Sequence, residues 1–145
     1  GSVTITANHS DAAGNPAPQA SVNVTKDAVA PAVAITSSPN INLSNENTYA
    51  TSGTCSENGR EVTVSVGGVV PGTQPTCTLG NWSVSNLNVS GLGEGSVTIT
   101  ANHSDAAGNP ATQASVNVTK DAVAPVVAIT SSPNINLVFI FTIHN

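Results

Sequence analysis

Positive charge is what this sequence has least of. Lys26, Arg60 and Lys120 are its only lysines and arginines, and the formal net charge is −5. A nucleic-acid binder needs a basic face that displaces counterions from phosphates. An anionic membrane surface asks for the same, so neither partner is expected. Charged residues are 8% of the chain and aromatics 3%, which leaves catalysis little to work with. Of the three histidines, His9 and His103 hold the same place in a repeat, and His103 reads as a rim residue rather than a general base. No hydroxyl nucleophile sits in a Gly-framed elbow, and Gly67-Gly68 and Gly91-Leu92-Gly93 read as turns rather than as a phosphate cradle. No apolar run reaches transmembrane length. The chain is expected to be non-enzymatic, without membrane insertion.

Cysteine is equally scarce, with only Cys55 and Cys77. Two isolated thiols suit either a reducing compartment or one disulfide outside it. The secretion-like composition favours the disulfide, which would close the intervening loop and add on the order of 3 kcal/mol. A zinc site is excluded, because two cysteines with no nearby histidine leave tetrahedral coordination unfilled.

What the chain does have is a copy of itself. Residues Gly1–Leu43 recur at Gly95–Leu137 with two changes, Thr112 in place of Pro18 and Val126 in place of Ala32. The distance from Gly1 to Gly95 exceeds a solenoid period and suits a whole small domain. The sequence therefore reads as a window on a tandem array of near-identical modules. The repeat ends abruptly: Val138–Asn145 bears no relation to the residues after Leu43 and holds both phenylalanines. That apolar tail reads as a truncation or reading-frame artefact rather than a real terminal strand, and no function is assigned to it.

Apolar residues alternate with Thr, Ser and Asn through almost every segment, a period of two that predicts strands. Val3, Ile5 and Ala7, then Ala20, Val22 and Val24, flank a turn-rich segment at Ser10–Ala17 and form a hairpin. Seven further strands are expected at Val33–Leu43, Thr48–Cys55, Glu61–Val66, near Thr76–Leu79, Trp82–Val89, Ser96–His103 and Gln113–Thr119. Pro39 should break the first and let it switch partners. The phase change between Val84 and Leu87 calls for a bulge near Ser85-Asn86. About seven short strands in roughly 90 residues is the pattern of an immunoglobulin-like Greek-key β-sandwich. The domain reading is then a hairpin of a preceding module at 1–26, a linker at 27–30, one complete module at 31–121, the first strand of a following module at 122–137, and the tail at 138–145. Connectivity leaves the first hairpin outside the complete module, with Val3, Ile5, Val22 and Val24 exposed.

Three stretches carry a resemblance: Asp105-Ala106-Ala107-Gly108-Asn109, the connector Asp121 to Pro125, and Gly53-Thr54-Cys55-Ser56-Glu57-Asn58-Gly59. Together they resemble the tandem bacterial immunoglobulin-like repeats of large surface adhesins. The resemblance implies a secreted or cell-surface module, a rod-like spacer holding a distal adhesive domain away from the cell, with neighbouring identical modules as its partners. The strand that carries the second cysteine of an antibody domain has none here, so any bridge joins the second strand to the fourth. Trp82 would be a core residue packed on that bridge rather than a sugar platform. In such a sandwich Asp27, Glu57, Asp105 and Asn109 meet at the end where the connector enters. Carboxylates gathered there suit calcium, which related modules bind at such junctions; ordinary turn chemistry is the competing reading. A different class of function, a glycan-binding module, would need an exposed aromatic platform built on Trp82 or Tyr49, and an accessory module of a secreted hydrolase would need a catalytic domain outside this window.

Overall fold

The computed structural model describes residues 1–131 and Asn134. The apolar tail lies outside the described residues, as do 132, 133 and 135–137 of the expected following strand; the part of that strand that is described, 122–131, is unpaired and forms no strand, with Val126, Val127 and Ile129 exposed. Among those described, the chain is all β: nine strands in three sheets, with no helix.

β1 (Ser2–Ala7) and β2 (Ala20–Thr25) pair only with each other, antiparallel. The second sheet runs β3-β5-β7, from β3 (Val33–Ser37), β5 (Tyr49–Cys55) and β7 (Asn81–Leu87). The third runs β4-β9-β8-β6, from β4 (Ile41–Asn42), β6 (Val62–Val66), β8 (Gly95–His103) and β9 (Ala114–Asp121). Alternation decides which face is covered: Val62, Val64 and Val66 are buried, while Thr63 between them is exposed. One core results, with Tyr49, Trp82 and Val84 from the three-stranded sheet and Val62, Val64, Ile99 and Val118 from the four-stranded one.

Proline makes the two larger sheets share a strand. Continuing β3 past Pro39 would leave a ladder position with no N–H to donate. Instead β3 pairs antiparallel with β5, and β4, beyond the break, pairs in parallel with β9. The crossing is pinned by the Tyr49 hydroxyl, which donates to the Pro39 carbonyl at 2.7 Å, and by Thr51 Oγ1, which donates to Ser37 O at 2.9 Å. The bulge also stands where the phase change puts it. Tyr49 faces Leu87 and Thr51 faces Val84, so Ser85 and Asn86 together oppose Ala50, and Asn86 takes a φ of 56°. Trp82, Val84 and Leu87 are thereby all buried on one face.

The expected strand near Thr76–Leu79 does not form. Leu79 and Gly80 both have left-handed φ, 50° and 78°, and turn the chain inside that segment. Only isolated bridges remain, Glu61 to Thr76 and Thr78 to Asn81. Leu79 is exposed as a result. Cys77, in the same segment, is disulfide-bonded to Cys55 at the end of β5, closing a separation of 22 residues.

The two copies of the repeated hairpin fold alike and are buried differently. Val3 opposes Val24 as Val97 opposes Val118, and Thr4 meets Asn23 as Thr98 meets Asn117. Yet Val97, Ile99 and Val118 are 5%, 0% and 6% exposed, against 44%, 53% and 40% for Val3, Ile5 and Val24. The first copy is a two-stranded unit without a covering sheet, marginal in water.

Gly53 is the tightest point of the three-stranded sheet. A Cβ there would lie 2.7 Å from the Trp82 ring and closer still to the Ala34 carbonyl, which accepts the Trp82 indole N–H at 3.1 Å. Neither backbone nor indole can give way. Gly53→Ala is expected to cost about 3 kcal/mol, read as a lower denaturant midpoint with an unchanged slope.

Candidate functional site

The chemistry-bearing residues gather at the end of the module where the connector enters β3. Asp27 lies on that connector, Glu57 on the β5–β6 turn, and Asp105 and Asn109 on the β8–β9 turn. Asp27, Ala30, Pro31, Ser56, Glu57 and Asp105 line one open cleft of about 510 Å³. Asn109 Nδ2 reaches the Asp27 carbonyl at 3.3 Å, tying the connector to the turn. Three of the four residues singled out in the sequence, Asp27, Glu57 and Asp105, thus line one cleft, and Asn109 adjoins it through its bonds to Asp105 and to the Asp27 carbonyl.

Their hydrogen bonds are mostly local. Asp105 Oδ1 accepts the Asn109 backbone N–H at 2.8 Å, and Oδ2 accepts Asn109 Nδ2 at 2.7 Å. Gly108, at φ 90°, closes the turn by donating to Asp105 O. In the first hairpin Asp11, Gly14 and Asn15 make the same bonds, at 2.9 and 2.8 Å to the carboxylate, with nothing packed on them. The turn is therefore encoded by its own five residues. Its N–H donors, the Asn side chain foremost, hold the carboxyls of Asp11 and Asp105 below the usual range. Asp27 accepts the Val29 N–H, and Glu57 accepts the Ser56 hydroxyl.

A hard cation wants six to eight oxygens at 2.3–2.6 Å. The donor chemistry fits: three carboxylates, a side-chain amide and the Asp27 carbonyl surround the cleft. The carboxylates do not converge on one point in this conformation. Among the described residues no three His, Cys, Asp or Glu side chains come close enough together to hold a metal ion.

His103 behind this cleft is buried, at 3% exposure, not an open rim residue. One ring nitrogen, Nε2, accepts the Glu57 backbone N–H at 3.2 Å, and Nδ1 lies 2.9 Å from the Glu61 carbonyl, to which it donates. Alternation along β8 carried the signal, since His103 follows Val97, Ile99 and Ala101 on the inward face.

No protein-family model and no curated protein matches the sequence. Solved structures do match, two bacterial adhesins among them. One belongs to a Ca²⁺-stabilized adhesin that helps an Antarctic bacterium reach out and bind ice; it is 28% identical, with a TM-score of 0.50 over 86% of this chain and 32% of that one. The other, from a 1.5-MDa bacterial ice-binding adhesin described for host cell surface retention, is 26% identical with a TM-score of 0.45, over 84% of this chain and 42% of that one. The chain resembles the bacterial adhesins. It spans less than half of either matched structure.

The opposite end of this adhesin-like module was not foreseen as a site. Lys120, the last inward residue of β9, is 3% exposed; its ammonium lies 3.0 Å from Glu46 and 3.4 Å from Glu94. The hydrogen bond it donates to Glu46 foremost, against the cost of burial, raises its pKa. Glu94 Oε2 also accepts the Ala122 N–H at 2.9 Å, so the pair fixes the chain where it leaves the module. Among the described residues, no aromatic side chain forms the exposed platform that a glycan binder would need. Tyr49 and Trp82 are buried in the core, and the Trp82 indole is committed to Ala34.

The depressed Asp105 carboxyl sets a pH dependence. Its folded pKa lies below the unfolded one, so its stabilisation is present above the unfolded pKa and is lost as pH falls through the folded pKa. Asp105→Asn is expected to melt below the parent at neutral pH, and the two melting temperatures should converge in acid. A gap that persists throughout the acid range would assign the loss to packing instead.

Proposed function

We propose that the chain is a stretch of tandem immunoglobulin-like Greek-key β-sandwich modules from a secreted or surface-anchored bacterial adhesin, acting as a rod-like spacer that presents a distal adhesive domain. The boundaries proposed are 1–26 for the end of one module, 27–30 for the linker, 31–121 for a complete module, and 122–137 for the start of the next, with 138–145 left unassigned.

The observation that carries this reading is the recurrence of Gly1–Leu43 at Gly95–Leu137. Near-identical modules suit the setting of length, because a specific binding site needs one module to differ from its neighbours. Strand order supports the sandwich: β3-β5-β7 facing β4-β9-β8-β6 places the first strand half in each sheet. Similarity to an adhesin whose name speaks of reaching out supports the role. The fixed chain at both ends, Asn109 to Asp27 on entry and Lys120 with Glu94 on exit, supports stiff joints. The reading is non-enzymatic, and both ring nitrogens of His103 are already engaged.

Calcium belongs to this proposal as a joint-stiffening ligand. Asp27, Glu57, Asp105 and Asn109 would hold it, and its double charge would offset the repulsion between their carboxylates.

X-ray scattering on proteins carrying one, two and three intact modules tests the spacer. The maximum dimension should grow by about 30–40 Å per module, given strands of 8 to 10 residues at ~3.3 Å, and calcium should narrow the spread of joint angles and raise the melting temperature. A dimension that fails to grow with module number sinks the spacer. A rod unaffected by calcium leaves the four residues as turn and connector residues alone.

A further inference from the structure

We propose that Asn58 is a self-modification site, a deamidation at Asn58-Gly59 that the folded and oxidised module holds closed. Asn58 is the one asparagine of the chain that glycine follows. With no Cβ on that next residue, little screens the Gly59 backbone nitrogen from the side-chain carbonyl carbon of Asn58. In the reaction the nitrogen gives up its proton and bonds to Asn58 Cγ. The Cγ–Nδ2 bond breaks, and Nδ2 leaves with that proton as ammonia. Water then opens the cyclic imide at either carbonyl, which gives aspartate at position 58 or its β-linked isomer. Water is the only co-reactant.

Three observations put this reactive pair under guard. The Gly59 N–H, whose nitrogen is the nucleophile, donates to the Cys77 carbonyl at 2.8 Å. Asn58 Oδ1 accepts the Gly80 N–H at 2.8 Å, which draws the side chain toward Gly80 and away from its own backbone. The turn itself is the third. Gly59 has a φ of 81° while Asn58 does not, and the Arg60 N–H donates to the Glu57 carbonyl at 3.2 Å, a type II turn. Such a turn sets ψ of its first central residue to about +120°, which carries the next nitrogen out of the plane in which the imide ring closes.

Both guarding bonds run to one segment, Cys77–Gly80, which belongs to no strand and pairs with its surroundings only through isolated bridges. The covalent hold on that segment is the bond from Cys77 to Cys55, with the Cys55 N–H on the Gly80 carbonyl at 3.0 Å beside it. The disulfide therefore guards a reaction as well as closing a loop. Once it is reduced, the segment is held by loop hydrogen bonds alone. Each opening then frees the Gly59 nitrogen and the Asn58 side chain together, and the ring can close. The conversion is irreversible and adds a carboxylate next in sequence to Glu57. A passing reduction is thereby written permanently into the β5–β6 turn. The inference uses only the turn, the segment and the disulfide, and holds whether or not the modules act as spacers.

Peptide mapping of the full chain after incubation at mildly alkaline pH tests this, with aspartate and its β-linked isomer at position 58 as the readout. The folded, oxidised chain should convert about 30-fold more slowly than the same chain unfolded in urea, the factor set by breaking two net hydrogen bonds. Cys55→Ala with Cys77→Ala should convert several-fold faster than the parent while the module still melts cooperatively. Should that variant fail to fold, the oxidised parent in urea below its midpoint keeps the test: conversion should rise in step with hydrogen exchange of the Gly59 amide. Conversion of the folded, oxidised chain at the unfolded rate overturns the proposal, as does an unfolded chain that leaves Asn58 intact. So does a folded alanine variant that converts no faster than its parent, or conversion that does not follow exchange at Gly59.

Discussion

A two-stranded hairpin does not hold itself together in water; it needs a second sheet over its apolar face. That constraint organises this molecule. Where the hairpin follows β7 through a short turn, its valines and isoleucine meet Tyr49 and Trp82 from the opposite sheet, and a single core closes. Where the same residues precede the connector, they stay open to solvent. Identical side chains thus have two fates, set by whether a second sheet among the described residues lies over them. Every other feature of the central module serves the covering sheet: the switch at Pro39, the bulge at Asn86, and the close approach of Trp82 to Gly53.

Much of this was legible in the residues because it depends on local rules. Period-two alternation located the strands, the missing N–H of Pro39 foretold the partner switch, and the phase slip from Val84 to Leu87 located the bulge. The pairing of Cys55 with Cys77 followed from their being the only two. The strand expected at Thr76–Leu79 fails for an equally local reason: the turn at Gly80 begins one residue early, with Leu79 itself left-handed. His103 and Lys120 were illegible as sites because their roles depend on distant partners. The burial of His103 could be counted along β8, but its bond to Glu57 joins β8 to the β5–β6 turn, 46 residues away in the chain. The carboxylates of Lys120 come from the β4–β5 and β7–β8 connections, which only the closed fold brings together.

The candidate junction shows the same division. The Asp-Ala-Ala-Gly-Asn turn forms in both copies with the same bonds, so its geometry owes nothing to a neighbour or a ligand. What the module adds is placement: burial of Asp105, the reach of Asn109 to Asp27, and Glu57 held from behind by His103. In a chain with so few charges, finding three carboxylates round one cleft at the entry and a buried ion pair at the exit puts the electrostatics at the joints.

Amide hydrogen exchange tests the central claim most directly, because it reads the two hairpins side by side in one chain. Amides of β8 and of β9 should exchange only with global opening of the module, whereas those of β1 and β2, identical in sequence, should exchange orders of magnitude faster. Equal protection of the two copies would mean that the first hairpin is seated too, and that connectivity does not decide which copy completes the core.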